Sequence, residues 1–138
     1  MIKNSILVIT AFFISTSISL AAPQDIKGTF SGEETLTVYG CPHAGVWKKK
    51  ITATYSDTVD GLFKGQGSND DGKFTIEGKI EGDNKVTSEL KGKNKWRQNW
   101  TATTVGELNG DEYTYSVKGK VLANPYCKFK SEVKLEKI

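Results

Sequence analysis

Two cysteines, one histidine and three tryptophans are the residues of this 138-residue chain with the most restricted chemistry. Nucleophilic catalysis would begin with His43, the one neutral-pH base of its type. It stands beside Cys41-Pro42 in a segment that reads as a loop, where a histidine is ordinarily solvated. Cys41 and Cys127 could serve as nucleophiles only as free thiolates. In an oxidising compartment an even pair in a small domain is more simply one disulfide, two free thiols being the other reading. Carboxylate pairs occur at Glu33-Glu34, Asp70-Asp71 and Asp111-Glu112. Each reads as lying in or beside a turn, where acids serve local hydrogen bonding. Nothing in the spacing brings two carboxyls into one cleft with divergent acidities. Asp70-Asp71-Gly72 is a fragment of a calcium loop without the remaining ligands, and neither a phosphate loop nor a metal-ligand spacing occurs. The residues imply no enzyme, no metal and no cofactor.

The remaining chemistry belongs to aromatic and basic side chains. Trp96, Gln98, Trp100 and Ala102 fall on one face of a strand expected to begin near Trp96. If that face is inward, two indoles and an amide, together with Tyr55, would line a cavity suited to one small ligand. The other reading is that these side chains fill a small barrel, with Trp47 near its mouth. Basic clusters stand at Lys48-Lys49-Lys50 and at Lys91, Lys93, Lys95 and Arg97. Further lysines, Lys118, Lys120, Lys128, Lys130 and Lys134, alternate outward on the last two strands. Together they offer a contact surface for an acidic protein, lipopolysaccharide or a phosphate-rich surface, the other reading being a solvated exterior with interspersed glutamates. The formal net charge of only +3 does not imply a nucleic-acid partner.

The elements that must position these groups are strands. Period-2 alternation is clearest in the last segment, where Cys127, Phe129, Ser131, Val133 and Leu135 oppose Lys128, Lys130, Glu132, Lys134 and Glu136. Tyr113, Tyr115, Val117, Gly119 and Val121 alternate in the same way, as do Phe74, Ile76, Gly78 and Ile80, and Val86, Ser88 and Leu90. Turns stand at Asp60-Gly61, Asp71-Gly72, Gly82-Asp83-Asn84 and Asn109-Gly110-Asp111. The pattern predicts about eight strands, starting near Ile26, Val46, Gly61, Gly72, Asn84, Trp96, Asp111 and Tyr126, the first running to Tyr39. In a closed meander of even strand number the first and last strands are antiparallel neighbours. Cys41 would then lie beside Cys127, whereas an open sheet would hold them at opposite edges. The expected fold is an all-β, antiparallel up-and-down barrel closed by one disulfide.

The N-terminus adds a compartment. Lys3, an apolar run from Ile6 to Ile14 and small residues up to Ala21-Ala22 form the pattern of a secretory signal peptide. That divides the chain into a leader, 1–21, and one barrel domain, 22–138, with no membrane span in the mature form and a secreted or periplasmic destination.

Gly28-Thr29-Phe30, the cysteine some ten residues later, the FKGQG and GKFTIEGKI segments and Cys127-Lys128-Phe129 resemble a family of small secreted or periplasmic alpha-proteobacterial proteins, mostly of unassigned function. More loosely the chain is similar to lipocalin-like and avidin-like barrels, with Phe30 where the lipocalin signature has tryptophan. The resemblance implies an exported barrel and names no ligand. Two binding functions follow as expectations. The first is a protein-interaction module, effector or inhibitor-like; the alternative is a carrier holding a small ligand in the barrel interior.

Overall fold

The computed structural model describes residues 25–42, 44–82 and 84–138. The expected leader and His43 lie outside the described residues.

The strands are β1 (Gly28–Tyr39), β2 (Gly45–Tyr55), β3 (Leu62–Asn69), β4 (Gly72–Glu81), β5 (Lys85–Lys93), β6 (Asn99–Asn109), β7 (Glu112–Val121) and β8 (Lys128–Lys137). Each pairs antiparallel with the next, and β8 pairs with β1, so the sheet is a closed barrel. Closure gives every strand a neighbour on both sides, although β2 meets β3 only along part of its length. It also brings the first and last turns of the chain together at one end: Cys41 and Cys127 are bonded, with a Cα separation of 4.7 Å. The expected topology and disulfide are both present.

Alternation sets the interior. Along β7 the side chains of Tyr113, Tyr115, Val117 and Val121 are buried, while Ser116, Lys118 and Lys120 are exposed or half-exposed. The predicted Asp60-Gly61 turn has φ values of 54° and 79°, the paired positive angles of a type I′ hairpin, and glycine takes the second without a Cβ clash. Several inward glycines face an inward aromatic across the ladder: Gly65 opposite Tyr55, Gly78 opposite Phe63, Gly67 opposite Phe74, Gly106 opposite Tyr115 and Gly119 opposite Phe129. Rings lie over Gly65, Gly67, Gly78 and Gly119, and the Tyr115 Cβ and neighbouring backbone crowd Gly106, at distances that leave no room for a Cβ. The recurring glycine–aromatic segments of the sequence are thus a packing device: a missing side chain on one strand admits a large ring from its neighbour.

The core fills one end of the barrel only. Phe30, Leu108, Tyr113 and Leu135 are essentially inaccessible there, and Ile26, just before β1, closes that end as a plug. Asp25 holds the plug by accepting hydrogen bonds from the backbone N–H and hydroxyl of Thr58. The backbone N–H of Lys27, chief among these donors, holds the Asp25 carboxyl below its ordinary value. Edge-to-face contacts of Tyr55 with Phe30, Phe63 and Tyr113 complete the packing, with ring centroids 5.6–6.0 Å apart.

Candidate functional site: the open cup

At the opposite end the barrel is hollow. A cavity of about 170 Å³ opens to solvent between the turns β1–β2, β3–β4, β5–β6 and β7–β8. Its floor is Ile51, Leu90, Tyr115 and Val117, its aromatic wall is Phe74, Trp100 and Phe129, and Trp47 lines it from β2. Trp100 stacks edge-on against Phe129 at 5.5 Å and tilts against Phe74 at 5.8 Å, so three rings form one continuous surface. All three tryptophans of the chain line this cup.

The strand expected to start near Trp96 begins at Asn99. Of the predicted inward face, Trp100 and Ala102 are on β6, while Trp96 and Gln98 belong to the β5–β6 turn and reach the cup from its rim. That turn is tied to one residue. Asn94 Oδ1 accepts from the backbone N–H of both Trp96 and Gln98, and Asn94 Nδ2 donates to Gln98 Oε1. Arg97 has φ 66° within the same turn, an unusual conformation for a non-glycine residue that this hydrogen bonding holds in place. Trp96 is half exposed, with Lys95 Nζ 4.7 Å from the centre of its ring. Tyr55, expected as a lining residue, lies elsewhere: its position on β2 puts it in the filled end, 4 % exposed.

A polar wall faces the aromatics. β2 pairs with β3 only over Thr52–Tyr55, so the upper part of β2 has no backbone partner on that side. Side chains span the resulting seam. Lys49 Nζ lies 2.6 Å from Asp71 Oδ2, with both groups mostly shielded. Asn69 Oδ1 accepts from the Asp71 N–H, and Asn69 Nδ2 donates to Glu34 Oε1 at 3.1 Å. Glu34 is buried, and its carboxylate has acceptor capacity beyond that one bond.

Two expectations change here. Glu33-Glu34 is not beside a turn but in the middle of β1, where alternation sends Glu33 out and Glu34 in. Lys49 does not belong to an outer Lys48-Lys49-Lys50 contact surface; it points inward between Trp47 and Ile51, leaving Lys48 and Lys50 exposed. Lys91, Lys93, Lys95 and Arg97 are exposed as expected, with Lys93 and Lys95 also reaching the rim. Glu34, Asn69 and Asp71 were not anticipated as interior groups. The parity that puts Phe30 and Leu36 inward also places Glu34, so its signal was present in the sequence.

The interior holds one more polar cluster, below the cup. Ser88 and Thr104 hydroxyls are 2.6 Å apart and hydrogen-bond Tyr113. Burial pushes the Tyr113 hydroxyl up to about 12, and raises those of Tyr55 and Tyr115 well above their ordinary range. None of these groups is an activated nucleophile or base. Among the described residues no three potential metal ligands cluster, and no helix is long and apolar enough to cross a membrane. No family model, curated protein or solved structure matches the chain.

Proposed function

We propose that this protein is a non-enzymatic carrier that binds one small, planar, largely apolar molecule in the open half of its barrel. The observation that carries this reading is the concentration of all three tryptophans, with Phe74 and Phe129, around a hollow whose opposite wall is a buried carboxylate–amide–ion-pair chain. An apolar pocket with a few oriented polar groups is the usual form of a small-molecule site. A volume of about 170 Å³ suits a ligand of one or two rings, since a cavity of about 150 Å³ takes benzene. Glu34 favours a ligand with an N–H or O–H donor. The open cavity supports the carrier over the protein-interaction module, for which a filled interior would have been the better argument. The disulfide accords with an oxidising compartment, and so with export directed by residues 1–21 and a single mature domain from residue 22.

The test is a panel of single-ring and fused-ring aromatics with and without donor groups, titrated against tryptophan emission and melting temperature. The reading expects a subset with donors to shift both. It expects Trp100→Ala to weaken their binding at least tenfold and Glu34→Gln to weaken the donor-bearing probes selectively. A protein whose emission and melting temperature respond to no member of the panel contradicts it.

A further inference from the structure

Charge on the outer wall is sorted along the barrel axis. In the β5–β8 register, Lys91, Thr101, Lys120 and Lys128 form one outward row near the mouth. The next row toward the closed end holds Lys118 and Lys130 with Thr103 and Glu89. Glu132, Glu107 and Glu136 appear only in rows deeper still, where they mix with Lys85 and Lys134. Lys118 directly faces Lys130, and Lys120 directly faces Lys128, across the β7–β8 ladder. Like charges so placed cost stability unless an anion relieves them. Among the described residues none of these four lysines is in a salt bridge.

The turns above this wall carry exposed apolar side chains. Trp96 is 49 % exposed on the β5–β6 turn, and Leu122 and Tyr126 are 52 % and 78 % exposed on the β7–β8 turn. Between the two turns a shallow groove runs past Lys91, Lys93, Thr101 and Leu122. Among the described residues the acids of the mouth turns are Asp70 and Asp71, both on the β3–β4 turn outside the β5–β8 wall, and Asp71 is already bound to Lys49.

Apolar and aromatic tips with a band of cations behind them match the two layers of a membrane interface: acyl boundary first, anionic headgroups next. An acidic protein would satisfy the lysines but gives no reason for apolar side chains on separate turn tips. We infer that the β5–β8 side of the open end docks on an anionic lipid surface, with Trp96, Leu122 and Tyr126 entering the interface and Lys91, Lys118, Lys120, Lys128 and Lys130 meeting headgroup phosphates. This contact is peripheral, involves no span, and turns the mouth of the cup toward the bilayer. It rests on the outer wall and does not depend on the ligand reading.

Co-sedimentation tests it, using the disulfide-bonded protein with vesicles of phosphatidylcholine mixed with phosphatidylglycerol and with vesicles of phosphatidylcholine alone. Binding is expected to the mixed vesicles only, with a blue shift of tryptophan emission and a loss of binding as salt screens the charges. At about 1 kcal/mol for each lysine near such a surface, Lys120→Gln, Lys128→Gln and Lys130→Gln together lower partition about 100-fold. Lys64→Gln with Lys85→Gln, near the closed end, leaves partition unchanged. Leu122→Ser with Tyr126→Ser weakens binding but preserves its salt dependence. All seven positions are exposed, and unchanged melting curves verify the folds. Equal binding to both vesicle types, or wild-type partition by the triple lysine variant, overturns the inference. So does a protein that ignores the mixed vesicles but binds an acidic polypeptide, which would assign the patch to a soluble polyanion.

Discussion

The two halves of this barrel are built from the same strands and held together differently. At the closed end Phe30, Tyr55, Phe63, Leu108, Tyr113 and Leu135 fill the space between opposite walls, so packing itself fixes the distance across the barrel. At the open end that filling is missing. The walls there are tied by the Cys41–Cys127 bridge, the Lys49–Asp71 pair across the β2–β3 seam and the Glu34–Asn69 hydrogen bond. A hollow removes dispersion contacts and apolar burial from every residue that lines it. The cup is therefore sustained by covalent and polar ties at its margin, and the effect of a substitution depends on the half in which it falls.

The largest effect expected from a single substitution is in the closed half. Phe30→Ala removes a ring that is 1 % exposed and should cost about 3–5 kcal/mol in urea unfolding. Probe affinity, measured under conditions where the variant remains folded, should be unchanged. A loss below about 1 kcal/mol would mean that the closed half is as hollow as the open one, since that is far less than a buried ring contributes.

Next is the tie at the mouth. The disulfide closes a loop of 86 residues, which in the chain-entropy model stabilises by about 4 kcal/mol. Cys41→Ala with Cys127→Ala should lower the melting temperature by more than about 10 °C for a domain of this size. Hydrogen exchange should accelerate first in the β1–β2 and β7–β8 turns, and only later at the closed end. Uniform acceleration would show that the bridge constrains the whole barrel and not its mouth in particular.

Alkaline pH acts on the closed half and the floor of the cup. The Tyr113 hydroxyl is raised from 10.0 to about 12 by burial, against the lowering influence of Thr104 and Ser88. The folded state therefore retains its proton where the unfolded state loses it. Its contribution to stability is complete below pH 10 and is lost as pH rises through about 12. A shift of that size corresponds to about 3 kcal/mol. Tyr55 and Tyr115 are raised by burial and act in the same direction. Tyrosinate absorbance and far-ultraviolet circular dichroism, followed together, should show these three ionising only as the sheet unfolds. Ionisation of all five tyrosines near pH 10 in an intact barrel would remove the argument.

Much of this architecture was legible in the sequence because a strand has only two faces. Alternation placed Tyr113, Tyr115, Val117 and Val121 on one side of β7 and its lysines on the other, and the positions of Cys41 and Cys127 demanded closure. The same rule sends Glu34 and Lys49 inward, yet residue type argued for the surface, and type prevailed over parity. What alternation cannot give is height along the barrel. Tyr55 and Lys49 share a face of β2, and six residues separate the filled end from the cup. Nor does it show where a strand stops. Trp96 and Gln98 have the parity of Trp100, but Asn94 binds the backbone at both positions and converts the segment into a turn. Short-range hydrogen bonding of an asparagine side chain competes with the ladder in this way, and the competition is invisible to a hydrophobic pattern.

The smallest expected effect on stability is also the sharpest probe of where the cup ends. Trp96 is half exposed and supported by the Asn94 turn, so Trp96→Ala should change unfolding free energy by less than about 0.5 kcal/mol. Trp100, beneath it, contacts both Phe74 and Phe129, and its truncation should be several times more costly. If the rim is part of the ligand site, Trp96→Ala should nevertheless weaken an aromatic probe severalfold, because a ring stacked at the mouth shields the ligand from water. Retained affinity would confine the site to Trp47, Trp100 and the two phenylalanines and leave Trp96 to the outer surface. Asn94→Ala separates contact from positioning. It keeps the indole but frees the turn, so a matching loss of affinity would show that the ring must be held in place as well as present.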